Sequence, residues 1–93
     1  MMARKVARYG KNRQPDYPVA ARRQKQEGLV ILSVHLSAAG RVTDISVKQT
    51  SGFSTLDAAA VESVRRWEFE PARAGSISIG SDVEIPIRFR LKN

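Results

Sequence analysis

The sequence has no cysteine and a single histidine, His35. The first absence excludes a disulfide framework and a thiolate zinc site, and removes redox chemistry as a guide to compartment. Long apolar runs are missing too. The longest, "LVILSVHL", is broken by Ser33 and His35, far short of the roughly 18–20 residues of a membrane span. The opening "MMARKVARYGKNR" lacks an apolar core of the kind a signal peptide carries. It also lacks acids, although Arg4, Lys5, Arg8, Lys11 and Arg13 all fall within it.

That last imbalance explains the net charge of +7. From Gln14 onward acids and bases nearly cancel, so the basic excess belongs to residues 1–13, the mark of a solvated segment more than of a binding face. Residues 1–13 are therefore expected to be a flexible linker remnant or expression tail, with "MM" an artificial start. Residues 14–93 form one domain. A chain of 93 residues makes a small core, burying roughly 60–65% of its unfolded surface.

At "QPDYP" two prolines hold the chain extended. Pro18 suits the first turn of a helix continued by "VAARRQKQE", with Gly28 as its expected stop in positive φ. "LVILSVHLS" alternates as a strand with Val30, Leu32, Val34 and Leu36 inward. "AAGR" supplies a turn at Gly40. In "RVTDISVKQTS" Ile45 and Val47 share a face, but Val42 has the opposite parity, which predicts a bulge near Thr43 and Asp44. "SGFSTLDAAAVESVRRWEF" is the clearest helix, with Leu56, Ala60, Val64 and Trp67 in one apolar stripe. Ser54 followed by Asp57 predicts a capping box. "ARAGSISIGSD" reads as a flexible connection.

The tail "SDVEIPIRFRLKN" alternates Val83, Ile85, Ile87, Phe89 and Leu91 against Asp82, Glu84, Pro86, Arg88, Arg90 and Lys92. It is a half-buried strand with a proline in its middle. Pro86 has no N–H to give a ladder, so the strand must lie at an edge with that nitrogen outward. The expected fold is a two-layer α+β domain of order αββαβ. Its three-stranded antiparallel or mixed sheet has order 2-1-3, with two helices on one face.

No residues form a catalytic set. His35 alternates onto the outer sheet face, and the acids are scattered over turns, caps and a helix end without paired spacing. "YGKN" lacks the pattern of a phosphate loop, and "GSISIGS" is no dinucleotide fingerprint. The expectation is a protein that is not an enzyme and carries no cofactor or metal. A small basic nucleic-acid-binding domain is the alternative, since the element order is similar to one form of the KH domain. Its GxxG clamp is missing, however, and Phe53, Trp67, Phe69 and Phe89 read as core, leaving Tyr9 and Tyr17 to stack on bases.

The unpaired edge is what remains. With Pro86 outward, the even-numbered residues own the free side: Glu84, Arg88 and Arg90 offer N–H and C=O, and Pro86 its C=O. An extended peptide could add there as a strand. A homodimer partner or the protein's own N-terminus would fill the same edge, and the chemistry leaves both readings open.

Further residues bear on that choice. Tyr17-Pro18 opens a short helix, Glu27-Gly28 precedes the first strand, Gly40-Arg41-Val42 the second, and "RRWEFEPA" closes the long helix. In this order and spacing, residues 14–93 resemble the C-terminal domain of TonB. The resemblance implies a periplasmic energy-transducing domain that adds the TonB box of outer-membrane transporters beside its last strand. It implies an inner-membrane anchor helix and a proline-rich spacer, which this sequence does not contain, and proton-motive force delivered through ExbB and ExbD. It also implies uptake of a siderophore, haem or cobalamin, and strand-exchanged homodimers of short fragments. The partner-binding residues then expected are Gln14, Pro15, Asp16 and Tyr17 together with Asp82, Val83, Glu84, Ile85, Pro86, Ile87, Arg88 and Arg90, with no nucleic-acid partner.

Overall fold

The computed structural model describes residues 13–92. Its elements are α1 (Val19–Arg23), β1 (Gly28–Leu36), β2 (Val42–Gln49), α2 (Ser54–Val64), β3 (Ala72–Ala74), β4 (Ile77–Ile79) and β5 (Ser81–Phe89). The three long strands form one sheet in the order β2-β1-β5, with β1 antiparallel to both neighbours. This is the expected α+β architecture and the expected strand order.

The inward set of β1, Val30, Leu32, Val34 and Leu36, is fully buried. It meets Val83, Ile85, Ile87 and Phe89 from β5 and Leu56, Ala60 and Val64 from α2. Ala21 of α1 joins the same cluster, so both helices cover one sheet face. Burying each valine, leucine, isoleucine or phenylalanine of this cluster contributes about 1.5–3 kcal/mol. Gly40 anchors the turn between β1 and β2 at φ 82°. The Phe69 N–H donates to its carbonyl at 2.9 Å, and a Cβ there would lie 1.9 Å from the Phe69 carbonyl oxygen. Only glycine fits that contact. The predicted bulge is present: His35 pairs with Asp44 and Leu36 with Val42, leaving Thr43 extra. Its hydroxyl donates to the His35 carbonyl at 3.2 Å.

Four local expectations are corrected. First, α1 ends at Arg23, and Lys25, not Gly28, takes the positive φ (56°). Gly28 instead opens β1, where a Cβ would lie 2.8 Å from the Ser51 carbonyl oxygen, so its glycine serves a close approach. Second, the capping box does not form, because Phe53 is the N-cap and no side chain caps α2. Asp57 turns back to the preceding loop, accepting the Ser51 N–H at 2.9 Å, the Ser51 hydroxyl at 2.7 Å and the Thr50 hydroxyl. Burial raises the Asp57 pKa, but these donors outweigh it and hold the carboxyl below its ordinary value. Third, the stretch after Pro71 is an antiparallel hairpin, with Ala72 opposite Ile79 and Ala74 opposite Ile77. Gly75 at φ 65° makes its turn, and alternation over three residues was too short to read as a strand. Fourth, Trp67, Phe69 and Phe89 are core, but Phe53, the N-cap of α2, is 37% exposed.

Candidate functional site

The geometry of β5 follows from its alternation. From Ser81 to Phe89 its side chains are buried and exposed in strict turn. Nine consecutive pairs with β1, Leu36–Ser81 through Gly28–Phe89, run without a register shift. Pro86 stands opposite Ile31. A nitrogen with no hydrogen satisfies an antiparallel ladder only from the outward-facing position. The odd-numbered residues of β5 then bond to β1, and the even ones turn their backbone groups to the open side. Leu91 keeps that parity: its N–H is taken by Glu27 Oε2 at 2.8 Å. No other strand pairs with β5 among the described residues.

Two contacts brace the outer sheet face. His35 Nδ1 lies 2.6 Å from Asp82 Oδ1 on the facing strand. Lys48 pairs with Glu84 by reaching across β1. Lys48, which alternation places on this outer face, is also the extra residue of a second bulge, with Ile31 opposite Gln49 and Leu32 opposite Val47. Sequence reading missed both braces, because each joins residues far apart in the chain.

β2 is the other flank of the same sheet, and it is blunted. It carries both bulges, and its Ile45 N–H is bound by the Asp44 side chain at 3.1 Å. Bulges and occupied donors discourage a further strand.

The residues before α1 divide between two places. Tyr17 packs edge-on against Phe89, with ring centroids 5.3 Å apart, and its hydroxyl donates to the Gln26 carbonyl. Desolvation raises the Tyr17 pKa, Glu27 adds to the rise and Arg22 opposes it; the Arg22 guanidinium lies 5.6 Å from the ring centroid. Tyr17 is thus joined to β5, and its ring is committed to Phe89. Tyr9, the other stacking candidate, lies outside the described residues. Gln14 and Asp16 line a groove of about 430 Å³ against α2, with Glu62, Arg66 and Trp67. The Trp67 indole fastens this segment by donating to the Arg13 carbonyl at 2.9 Å, and Arg13 pairs with Asp16 at 3.1 Å. Pro15 is half-buried beside them. Among the described residues no three His, Asp or Glu side chains gather as a metal site, and no helix is long and apolar enough to cross a membrane.

Residues 13–91 match the family described as Gram-negative bacterial TonB protein C-terminal. The chain is 44% identical over 85 residues to protein tonB2 of Pseudomonas aeruginosa, covering 91% of this chain and 32% of that protein. It is 34% identical over 79 residues to TonB of Vibrio cholerae, covering 85% and 32% respectively. The chain therefore spans 32% of the length of each of these relatives. Its fold matches the solution structure of the Pseudomonas aeruginosa TonB C-terminal domain with a TM-score of 0.74 at 23% identity, over 87% of this chain and 82% of that one. It matches the Helicobacter pylori domain of residues 179–285 with a TM-score of 0.64 at 30% identity, over 89% and 72%.

Proposed function

The chain belongs to the Gram-negative TonB C-terminal family, and from that premise we propose that it docks outer-membrane transporters by adding their TonB box as a strand to the open edge of β5. The observation that carries this reading is the contrast between the two flanks of one sheet: β5 is long and regular, and β2 is bulged and partly capped. Each added backbone hydrogen bond contributes roughly 0.5–1.5 kcal/mol net. Four or five of them, with side-chain contacts, suit a micromolar and reversible complex. Reversibility fits a transducer that must engage and release.

In this reading residues 14–93 are the docking unit in the periplasm, and the basic residues 1–13 lead into it. An inner-membrane anchor holds the protein at its source of energy, proton-motive force is delivered through ExbB and ExbD, and the docked strand passes it to the transporter for uptake of a siderophore, haem or cobalamin. Tyr17 supports the β5 end of the site through Phe89. Gln14, Pro15 and Asp16, held by Trp67 at the groove against α2, are a second and separate contact for the same partner.

The absence of native cysteine makes a direct test available. Single cysteines are placed at Glu84→Cys, Pro86→Cys, Arg88→Cys and, on the other flank, Ser46→Cys. Each variant is oxidised with a TonB-box peptide carrying one cysteine. Crosslinking at the β5 positions and none at Ser46→Cys is the expected result. Equal yields at all four, or a yield only on β2, would refute strand addition at β5.

A further inference from the structure

The exposed side chains of β5 carry Asp82, Glu84, Pro86, Arg88 and Arg90 in that order, so acids lead and bases follow. The acids already have partners within the sheet, Asp82 in a hydrogen bond with His35 and Glu84 in an ion pair with Lys48. The bases are not. The residue opposite Arg88 is Leu29, and Ile31 follows opposite Pro86. Arg90 lies beyond the last ladder pair. Neither arginine has an ion pair among the described residues. Both are exposed.

We infer that Arg88 and Arg90 set the specificity of the edge, selecting an incoming segment with carboxylates at alternate positions and apolar residues between them. This rests on the strand-addition reading above. In a strand beside β5, every second side chain shares the outer sheet face with Arg88 and Arg90, and such side chains are spaced about 6.6–6.8 Å apart, like the arginines themselves. The intervening side chains turn to the helix-covered face, where Ile85, Ile87 and Phe89 lie. Opposite charges facing across neighbouring strands are favourable, and like charges are not. A segment with bases at the outer positions is therefore excluded by the same two residues. Glu84 does not counter this preference, because Lys48 neutralises it.

The test uses the whole 93-residue chain and two synthetic peptides followed by amide NMR. One alternates valine with threonine, and its companion has glutamate at two successive threonine positions near the centre, where either strand direction brings them beside the arginines. The acidic peptide is expected to bind about three- to tenfold more tightly at low salt, an advantage that shrinks as sodium chloride is added. Arg88→Gln with Arg90→Gln should bring the two peptides to the same affinity as each other, and Arg65→Gln at the C-cap of α2 should preserve the difference. Equal affinities for the two peptides, with β5 amides shifting in both titrations, would overturn the arginine role and leave strand addition standing. If neither peptide shifts the β5 amides, strand addition fails and the specificity inference falls with it.

Discussion

β2 and β5 flank the same central strand, are of similar length, and meet solvent in opposite ways. β2 is interrupted at Thr43 and Lys48, and Asp44 occupies the Ile45 N–H. β5 runs straight through nine pairs, and its single irregular feature, Pro86, removes one outward donor without disturbing the inner ladder. Proteins normally blunt exposed edges against unwanted pairing. One flank here follows that rule and the other departs from it, so the departure is a property of β5 and not of small sheets generally.

Proline placement breaks the contrast most sharply. Ile87→Pro removes an inward donor and a buried side chain, and should cost about 4 kcal/mol of stability by chemical denaturation. A small effect would show that the parity of β5 is reversed. On the β2 side, Gly40→Ala forces a Cβ into the Phe69 carbonyl and should cost about 3 kcal/mol. Because β5 pairs with β1 independently of that turn, the folded fraction of this variant should keep its peptide affinity. Arg88→Pro should leave the melting temperature nearly unchanged while weakening peptide binding up to about tenfold, the worth of the one outward hydrogen bond it removes. Unfolding by Arg88→Pro and tolerance of Ile87→Pro would invert the assignment.

The smallest effect concerns the clasp that ends β2. Asp57 has a depressed pKa in the folded state, so its contribution to stability is present above the unfolded carboxyl value of about 3.9 and is lost as pH falls through the folded value. Asp57→Asn should lower stability by about 1 kcal/mol at neutral pH. The gap between variant and parent should close below about pH 4, with peptide affinity at neutral pH unaffected. A gap that persists into acid would mean the carboxylate charge is not what holds Thr50 and Ser51.

Much of this was legible in the residues themselves. Period-two burial in β1 and β5, the stripe Leu56-Ala60-Val64-Trp67, the Thr43 bulge and the edge position demanded by Pro86 are all local rules that the tertiary structure obeys. The failures have a common form. Lys25 taking the left-handed turn, Asp57 reaching back to Ser51 and Lys48 crossing to Glu84 depend on neighbours remote in sequence or on turn geometry that residue type does not specify. The hairpin at residues 72–79 was lost because three-residue strands carry too little alternation. The placement of Gln14 beside α2 and Trp67 likewise needs the indole-to-Arg13 hydrogen bond, which no sequence pattern announces.

The most direct test is an amide NMR titration of the chain with a synthetic TonB-box peptide. Saturable shifts in the micromolar range, largest at Glu84, Arg88 and Arg90 and small along β2, are the predicted result. Shifts concentrated on β2, or a monomer whose β5 amides do not respond, would contradict the claim that β5 is the docking edge.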